Sequence, residues 1–169
     1  MAEKRYALRV AGPADAEAVT ALLEASYPAL LVGGYAPGVL AATLPLMTKA
    51  NPKLLASGTY YVAEVDGGSL AGCGGWTPEK PGSGEIVPGV GHIRHFATHP
   101  GWTRRGIASA LLVRCVEEAK ARGITTLEAF ATLSAEDFYR AHGFAPIEPI
   151  DVPMTADVSL PSLWMRRAI

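Results

Sequence analysis

Apolar and polar positions along the chain follow two periods, one typical of strands and one typical of helices. Runs rich in β-branched and aromatic residues predict seven strands, at 6–10, 59–65, 69–77, 92–99, 124–130 and, near the end of the chain, roughly 144–149 and 157–168. Asp66, Gly67 and Gly68 separate the second run from the third, a sequence typical of a β-hairpin turn.

Apolar positions three and four residues apart predict the helices. A first helix is expected at about 14–26 and a second after Pro37, with a proline- and glycine-rich loop over 26–38. The clearest pattern covers 104–122, whose apolar stripe consists of Ile107, Leu111, Leu112, Cys115, Val116 and Ala119.

The ends of the later helices carry their own signals. Gly123 is expected to end the helix at 104–122. Ser134 and Asp137 have the spacing of a capping box, which predicts a short helix that Gly143 ends. The predicted order is strand, two helices, three strands, helix, strand, helix and the final strands, without an internal repeat.

Composition and charge narrow the class of protein. The 169 residues include 15 basic and 16 acidic side chains, a formal charge of −1 that argues against a nucleic-acid partner. No apolar run approaches the roughly 20 residues needed to cross a bilayer, and the start lacks the apolar region of a secretory signal. The two cysteines form no CxxC pair, so we expect neither a disulfide framework nor a thiolate metal site. The expectation is one cytoplasmic domain spanning 1–169, with no membrane segment.

The loop before the strongest predicted helix, PGWTRRGIASALL from Pro100, has the outline of a phosphate site. The first amides of a helix lack partners within the helix and carry the positive end of its dipole, so they bind anions. Gly106 and Ala108 would let an anion approach closely, and Arg104 and Arg105 add positive charge. The loop lacks the Lys-Ser/Thr ending of nucleotide phosphate loops and the complete G-x-G-x-x-G of dinucleotide folds. By itself the pattern fits a plain turn, in which Gly106 only relieves crowding, equally well.

Two motifs in the second half of the chain together resemble the GCN5-related N-acetyltransferase (GNAT) family. RRGIA at 104–108 matches the last five positions of that family's cofactor signature, Arg/Gln-x-x-Gly-x-Gly/Ala, whereas Thr103 stands at its first position. THP at 98–100 resembles the Val-x-Pro that ends the family's preceding strand. FYRAHGF at 138–144 matches a second family marker, and the whole match covers about 92–144.

The resemblance implies an α/β (α+β) fold: a mixed, mostly antiparallel central sheet of about seven strands flanked by about four helices. In that family the strand before the turn splays away from its parallel neighbour, and the pantetheine arm of acetyl-CoA lies in the opening. Main-chain groups of Phe96, Ala97 and Thr98 would pair with that arm. The pyrophosphate would bind the amides of Thr103, Arg104, Arg105, Gly106, Ile107, Ala108 and Ser109. Because residue 103 is not Arg or Gln, a threonine hydroxyl or Arg104 would replace one pyrophosphate contact.

The resemblance further implies direct attack of an amine on acetyl-CoA, without an acyl-enzyme. Tyr139 stands where the family has its general acid, able to protonate the departing sulfur, and a core position beside its aromatic neighbour is the alternative. For the base, His92 fills roughly the place of the glutamate of many relatives, with an ordinary pKa of about 6.5 that suits proton transfer. Glu85 is a second candidate, and a solvated position is the alternative for both. His95 is expected on the opposite face from His92 if the strand is regular.

Aromatic residues are the candidates for the acceptor side. In the resembling family the amine enters over the first two helices and the end of the third strand, segments that hold Tyr27, Tyr35 and Trp76. Ordinary partly buried positions are the alternative for each. The histidines within 92–99 have no Cys or carboxylate to complete a metal set, so no metal is expected. Cys73 has no recognisable base beside it and is expected to be structural.

Two functions of different classes follow from these observations. An acetyl-CoA-dependent N-acetyltransferase (EC 2.3.1.-) would act on a small-molecule amine or a peptide, and Tyr139 with the aromatic first loop favours it. A non-catalytic acyl-CoA-binding or sensing domain would keep the turn without a working acid and base, and Thr103 with the missing glutamate favours that. The sequence does not separate acetyl-CoA from a longer acyl-CoA, or a monomer from a homodimer, the commonest assembly.

Overall fold

Seven strands form one mixed sheet with helices on both faces, in a computed structural model that describes residues 5–169. The strands are β1 (Tyr6–Val10), β2 (Tyr60–Val65), β3 (Leu70–Thr77), β4 (Val90–Thr98), β5 (Thr126–Thr132), β6 (Ala145–Pro153) and β7 (Ser159–Ala168). The helices are α1 (Ala16–Leu31), α2 (Pro37–Met47), α3 (Pro52–Leu55), α4 (Ile107–Ala121) and α5 (Glu136–Ala141). None of the helices described is long and apolar enough to cross a membrane.

The sheet has the strand order β1-β2-β3-β4-β5-β7-β6. Its neighbours are antiparallel except β4 and β5, which run parallel and pair only where Val90–His92 meets Thr126–Glu128. Beyond His92 the two strands no longer pair. The expected mixed, mostly antiparallel sheet with one splayed parallel pair is therefore confirmed.

Two hydrophobic layers cover the sheet, one on each face. The predicted stripe of α4 is buried in the first layer with Leu127, Met165 and Tyr61. The second layer lies under α1, α2 and α3 and includes Leu23 and Val62. Each layer removes a continuous apolar surface from water, which is the main favourable contribution to folding.

A glycine in β3 sets how closely α4 approaches the sheet. A Cβ atom at Gly72 would lie 2.6 Å from Ile107 Cγ2 and 3.3 Å from Leu111 Cδ1. Because Ile107 is the first residue of α4, this contact also positions the start of the helix. At the other end, Gly123 has φ 81° and the Ile124 amide donates to the Ala119 carbonyl (3.0 Å), so the expected glycine end of the helix is confirmed.

The first helix is longer than the sequence pattern predicts. α1 continues to Leu31 through Pro28, so the predicted end near residue 26 is wrong. Pro28 removes one hydrogen bond of the helix, but Tyr27 before it and Leu31 after it are buried, and tertiary packing supplies most helical stability. The short helix α3 was also not predicted; the side chain of Asn51 accepts a hydrogen bond from the Lys53 amide at its start (2.9 Å).

The starts of the two later helices also differ from their predictions. α4 begins at Ile107 rather than 104, because Arg104 and Gly106 adopt left-handed conformations (φ 60° and 78°) that no α-helix accommodates. The capping box predicted at Ser134 is wrong: Ser134 lies in a 3-10 turn, and α5 begins at Glu136 without a side-chain cap.

Candidate functional site

β4 is irregular at the point where it separates from β5. Its register on β3 shifts between Cys73 and Gly75, and His95 at this bulge has φ 52°. In a regular strand the side chains of consecutive residues point to opposite faces. A bulge redirects them, and the side chains of Arg94 and His95 both border the same cavity. The alternation from which we placed His95 opposite His92 therefore does not hold here.

The edge of β4 along the gap presents main-chain groups. Ala97 is paired with β3, and the His99 amide donates to a β3 carbonyl at 2.8 Å. Because an antiparallel strand directs alternate residues to alternate sides, the main-chain groups of Phe96 and Thr98 point away from β3, towards the gap.

Two hydroxyl groups of α1 hold this edge in place. The Tyr27 hydroxyl donates to the Phe96 carbonyl (3.0 Å), and the Ser26 hydroxyl donates to the Thr98 carbonyl (2.7 Å). Both side chains are buried. Because these two carbonyls already accept hydrogen bonds, the N–H groups of Phe96 and Thr98 are the main-chain groups of this edge that remain free to donate into the gap.

The turn between β4 and α4 is a row of main-chain donors. Arg104 and Gly106 adopt left-handed conformations, and the first bond of α4 runs from the Ala110 amide to the Gly106 carbonyl (2.9 Å). Across the described chain, the amides of residues 103–109 find no acceptor. Seven successive unpartnered amides, at and before the positive end of a 15-residue helix, are the kind of donors that can bind an anion.

Side chains around this turn add charge and rigidity. The Arg105 guanidinium lies 4.7 Å from the centre of the Trp102 ring, a cation–π distance. The Thr103 hydroxyl donates to the Pro100 carbonyl (3.2 Å) and so fixes the turn. The Ser109 hydroxyl lies 3.0 Å from His142 Nε2 of the segment after α5.

A cavity of about 650 Å³ passes through the gap between β4 and β5. On the α4 side it is bordered by Thr98, Trp102–Arg104, Gly106–Ser109, Phe138 and Tyr139. On the α2 side it is bordered by Leu46, Met47, Arg94, His95, Phe130, Val152 and Met154. Since one cavity reaches both sides, a long ligand held by the turn can present its end to a second molecule on the α2 side.

Tyr139 lies on the wall of this cavity. Its side chain is 5% exposed and packs edge-on against Phe138 and Phe144, with ring centres 5.2 and 5.3 Å apart. Burial raises the pKa of the Tyr139 hydroxyl well above its ordinary value, so the group stays protonated at neutral pH. Its hydroxyl makes no hydrogen bond to residues 5–169 and is therefore free to donate to a ligand.

The two residues predicted as bases do not border the cavity. His92 is 4% exposed and is itself the last residue of β4 that pairs with β5, opposite Glu128. Desolvation lowers the pKa of its ring despite the nearby Glu128 carboxylate. Glu85 is exposed in the loop before β4. Neither position supports the expected role in proton transfer.

The three predicted acceptor aromatics are placed differently from one another. Tyr27 borders the cavity, but its hydroxyl is engaged by Phe96. Tyr35 lies outside the cavity, where its hydroxyl donates to the Pro161 carbonyl (2.6 Å) and accepts from the Leu133 amide (2.9 Å). Trp76 is 2% exposed in the core layer below α4. Only Tyr27 is positioned to contact a ligand.

Sequence reasoning missed a basic pair on β4, Arg94 and His95. The His95 ring stacks on Tyr27 at 5.6 Å, and its Nε2 lies 2.8 Å from the Met47 carbonyl. Because a carbonyl only accepts, this contact assigns the proton to Nε2 and leaves Nδ1 unprotonated. Burial lowers the pKa of the His95 ring, which favours the neutral form. The sequence does show a histidine at position 95. Its position beside the cavity was missed because we assumed a regular strand, and the bulge breaks the alternation.

Within residues 5–169, no group of three or more His, Cys, Asp or Glu residues could hold a metal ion. Cys73 is buried, and burial raises the pKa of its thiol to about 12, so it is no thiolate nucleophile at neutral pH.

A known family model matches the part of the chain that contains this cavity's β4 edge and the turn before α4. Residues 56–146, more than half of the chain, match the model described as acetyltransferase (GNAT) domain. No curated protein sequence matches the chain significantly.

Solved structures share the whole fold at low sequence identity. A GCN5-related N-acetyltransferase from Rhodopseudomonas palustris has a TM-score of 0.80 at 22% identity, covering 100% of this chain and 99% of that one. The PaiA N-acetyltransferase from Thermoplasma acidophilum, solved in complex with coenzyme A, has a TM-score of 0.72 at 16% identity, covering 97% and 99%. The ribosomal-protein-S18-alanine N-acetyltransferase from Escherichia coli has a TM-score of 0.64 at 16% identity, covering 97% and 94%.

Proposed function

Because the chain belongs to the GNAT acetyltransferase family, we propose that it transfers the acetyl group of acetyl-CoA to a primary amine by direct attack. The observation that carries the proposal is the cavity with its two parts, which we call the α4-side chamber and the α2-side chamber. The first contains the seven unpartnered amides, and the second is largely apolar. A purely acyl-CoA-binding domain has no need of the second chamber.

The pyrophosphate of acetyl-CoA would bind the amides of residues 103–109, with Arg104 contributing positive charge. Main-chain amides supply most of this site, so the departure from the family signature at Thr103 removes a side-chain contact without removing the donors. The pantetheine arm would lie in the gap, where the N–H groups of Phe96 and Thr98 replace the missing pairing with β5. Ala97 pairs with β3 and would contribute only van der Waals contact.

The chemistry would proceed in one displacement at the junction of the two chambers. The neutral amine attacks the carbonyl carbon, the new C–N bond forms, and the C–S bond breaks with its electron pair on sulfur. Tyr139 would give its hydroxyl proton to that sulfur and regain a proton from the amine nitrogen. General acid assistance of this kind contributes about 10²- to 10⁴-fold to rates.

His95 is the residue we propose as the base that removes the first proton from the acceptor ammonium. Its free Nδ1 is neutral, and the ring borders the α2-side chamber. The charged and titratable groups around it are Arg94 on the same strand, Lys49 after α2, Tyr27 on α1, and Tyr60 and Cys73 on β2 and β3. Burial raises the pKa values of the two tyrosines and of the thiol, so these groups stay neutral.

Two measurements test this proposal in sequence. Calorimetric titration should give a 1:1 complex with acetyl-CoA, and thiol release from acetyl-CoA should then depend on an added primary amine. Absence of acetyl-CoA binding would overturn the placement of the cofactor. Binding without amine-dependent thiol release across a broad amine panel would leave the non-catalytic acyl-CoA domain as the better description.

A further inference from the structure

The chamber on the α2 side has an unbalanced charge. Among the residues described, the ionised side chains that border the whole cavity are Lys49, Arg94 and Arg104, and no aspartate or glutamate does. A polycationic acceptor such as a polyamine would meet like charge there without a counter-ion. The acceptor that fits this chamber carries a negative group besides its amine.

Arg94 is the cation placed to bind that negative group. Its Nη1 donates to the Thr77 hydroxyl (2.8 Å), and no carboxylate of residues 5–169 lies within ion-pair distance of it. Desolvation lowers the pKa of its guanidinium, although Arg stays charged at neutral pH. Its Nη1 also lies 3.5 Å from the Glu79 carbonyl, and the Glu79 carboxylate acts against this lowering without forming an ion pair. The donors of Arg94 that remain free match the two oxygens of a carboxylate.

Two other charged groups near the chamber, Glu128 and Lys80, make their contacts away from Arg94. The Glu128 carboxylate accepts from Trp164 Nε1 (2.9 Å) and Arg166 (3.0 Å). Lys80 lies over the rings of Phe130 and Trp164, at 5.9 and 5.8 Å. The charge of Arg94 is therefore available to a ligand in the chamber.

The spacing of Arg94 and His95 limits the acceptor further. They are consecutive residues, and the bulge at His95 brings both side chains to one cavity. A ligand whose carboxylate meets Arg94 while its amine meets His95 needs the two groups only a few bonds apart. An α-amino acid, with one carbon between them, satisfies this condition.

The rest of the chamber is apolar. Its wall on α2 ends in Leu46 and Met47, and β6 with the residue that follows it contributes Val152 and Met154. Leu46 is 42% exposed, and covering such a side chain with an apolar group is favourable. This wall suits the side chain of an apolar amino acid.

We infer that the acceptor is a free α-amino acid with an apolar side chain, bound by Arg94 through its carboxylate and presented to His95 through its amine. The inference rests on the proposed function, since it names the acceptor of the same site. It excludes polyamines and aminoglycosides as good acceptors.

The test compares L-leucine with L-leucinamide and isoamylamine at saturating acetyl-CoA, by thiol release. L-leucine should have a kcat/KM at least about 10-fold above both. This is the factor that one hydrogen bond to a charged group typically contributes to binding. The amide has the more acidic ammonium group, so a preference for the acid cannot arise from a larger fraction of free amine. Spermidine should be the poorest acceptor of the set.

Variants assign the preference to Arg94. Arg94→Gln should raise KM for L-leucine about 10- to 100-fold and leave KM for isoamylamine and acetyl-CoA unchanged, whereas Arg94→Lys should lie between. Arg122→Gln, an exposed arginine at the end of α4 outside the cavity, should match the wild type.

The outcomes separate this inference from the function beneath it. Absence of acetyl-CoA binding contradicts the proposed function itself. If acetyl-CoA binds, three results overturn the inference. These are equal use of L-leucine and L-leucinamide, acetylation of isoamylamine or spermidine alone, and no acetylation of L-leucine. So does an equal effect of Arg94→Gln on all acceptors.

Discussion

The two chambers of the cavity are built in different ways. The α4-side chamber takes most of its donors from one continuous stretch, residues 96–109, and uses the main chain. The α2-side chamber is assembled from side chains of α1, α2, β4, β5, β6 and β7, which are far apart in sequence. Main-chain donors depend on local conformation, whereas a side-chain chamber depends on the whole fold.

This difference explains which departures each chamber tolerates. Replacing the first residue of the signature by Thr103 leaves the amides of the turn in place, because their direction depends on Arg104 and Gly106. On the α2 side, a change at Arg94 or His95 alters the chemistry itself. We therefore expect substitutions in the turn to affect acetyl-CoA affinity and those on β4 to affect the acceptor.

Tyr139→Phe should have the largest effect, because Tyr139 is the proposed proton donor to the departing sulfur. Removing the proton donor should lower kcat by about 10²- to 10⁴-fold while the KM for acetyl-CoA stays within about 2-fold of the wild type. Steady-state thiol release measures both quantities. Phe144→Leu, another aromatic change in the same cluster, is the packing control; an equal loss of kcat there would assign the effect to packing.

Gly106→Asp should abolish tight cofactor binding by placing a carboxylate among the phosphate-binding amides. Like charges in contact cost several kcal/mol, so Kd for acetyl-CoA should rise by at least about 100-fold. Gly123→Asp is the matched control, because Gly123 has nearly the same φ (81° against 78°) and open space around its Cβ. Equal Kd values for the two variants, by calorimetry, would remove the turn from the cofactor site.

His95→Gln should lower kcat/KM for the acceptor by about 100-fold at neutral pH, the lower end of a general base's contribution. The base works when neutral, so the wild-type rate should fall as pH falls through the His95 pKa, which burial places below its ordinary value. This acidic limb should disappear in His95→Gln. His92→Gln is the control and should keep the acidic limb. If the limb disappears in His92→Gln and persists in His95→Gln, His92 is the base instead.

Gly72→Ala tests the link between sheet and turn, with the smallest expected effect. Its Cβ would push against Ile107 and Leu111, so stability should fall by about 1–3 kcal/mol and acetyl-CoA affinity should weaken. Gly12→Ala adds a Cβ in open space at φ −134° and should be neutral or slightly stabilising. Urea unfolding of both variants measures the difference.

Local patterns accounted for most of the fold and for the α4 side of the site. The stripe of α4, the glycine at 123 and the Phe-Tyr marker are short-range features, so periodicity and motif spacing were enough to find them. The end of α1 was missed because burial of Tyr27 and Leu31 outweighs the local cost of Pro28.

The α2 side could not be predicted, because its geometry depends on the β4 bulge. That bulge rests on cross-strand contacts: a Cβ at Gly74 would lie 2.5 Å from the Phe96 ring, so glycine at this position makes room for it. Nothing in the order of residues within β4 indicates which residue takes the left-handed conformation. Trp76, expected to be near the acceptor, lies in the core below α4.

Amide hydrogen exchange with and without acetyl-CoA tests the central claim most directly. Acetyl-CoA should slow exchange at the amides of residues 103–109, and at Phe96 and Thr98, because these donors gain acceptors only from the cofactor. Exchange around Gly123 should not change. Tight binding of acetyl-CoA with unchanged exchange at 103–109 would show that the cofactor binds elsewhere.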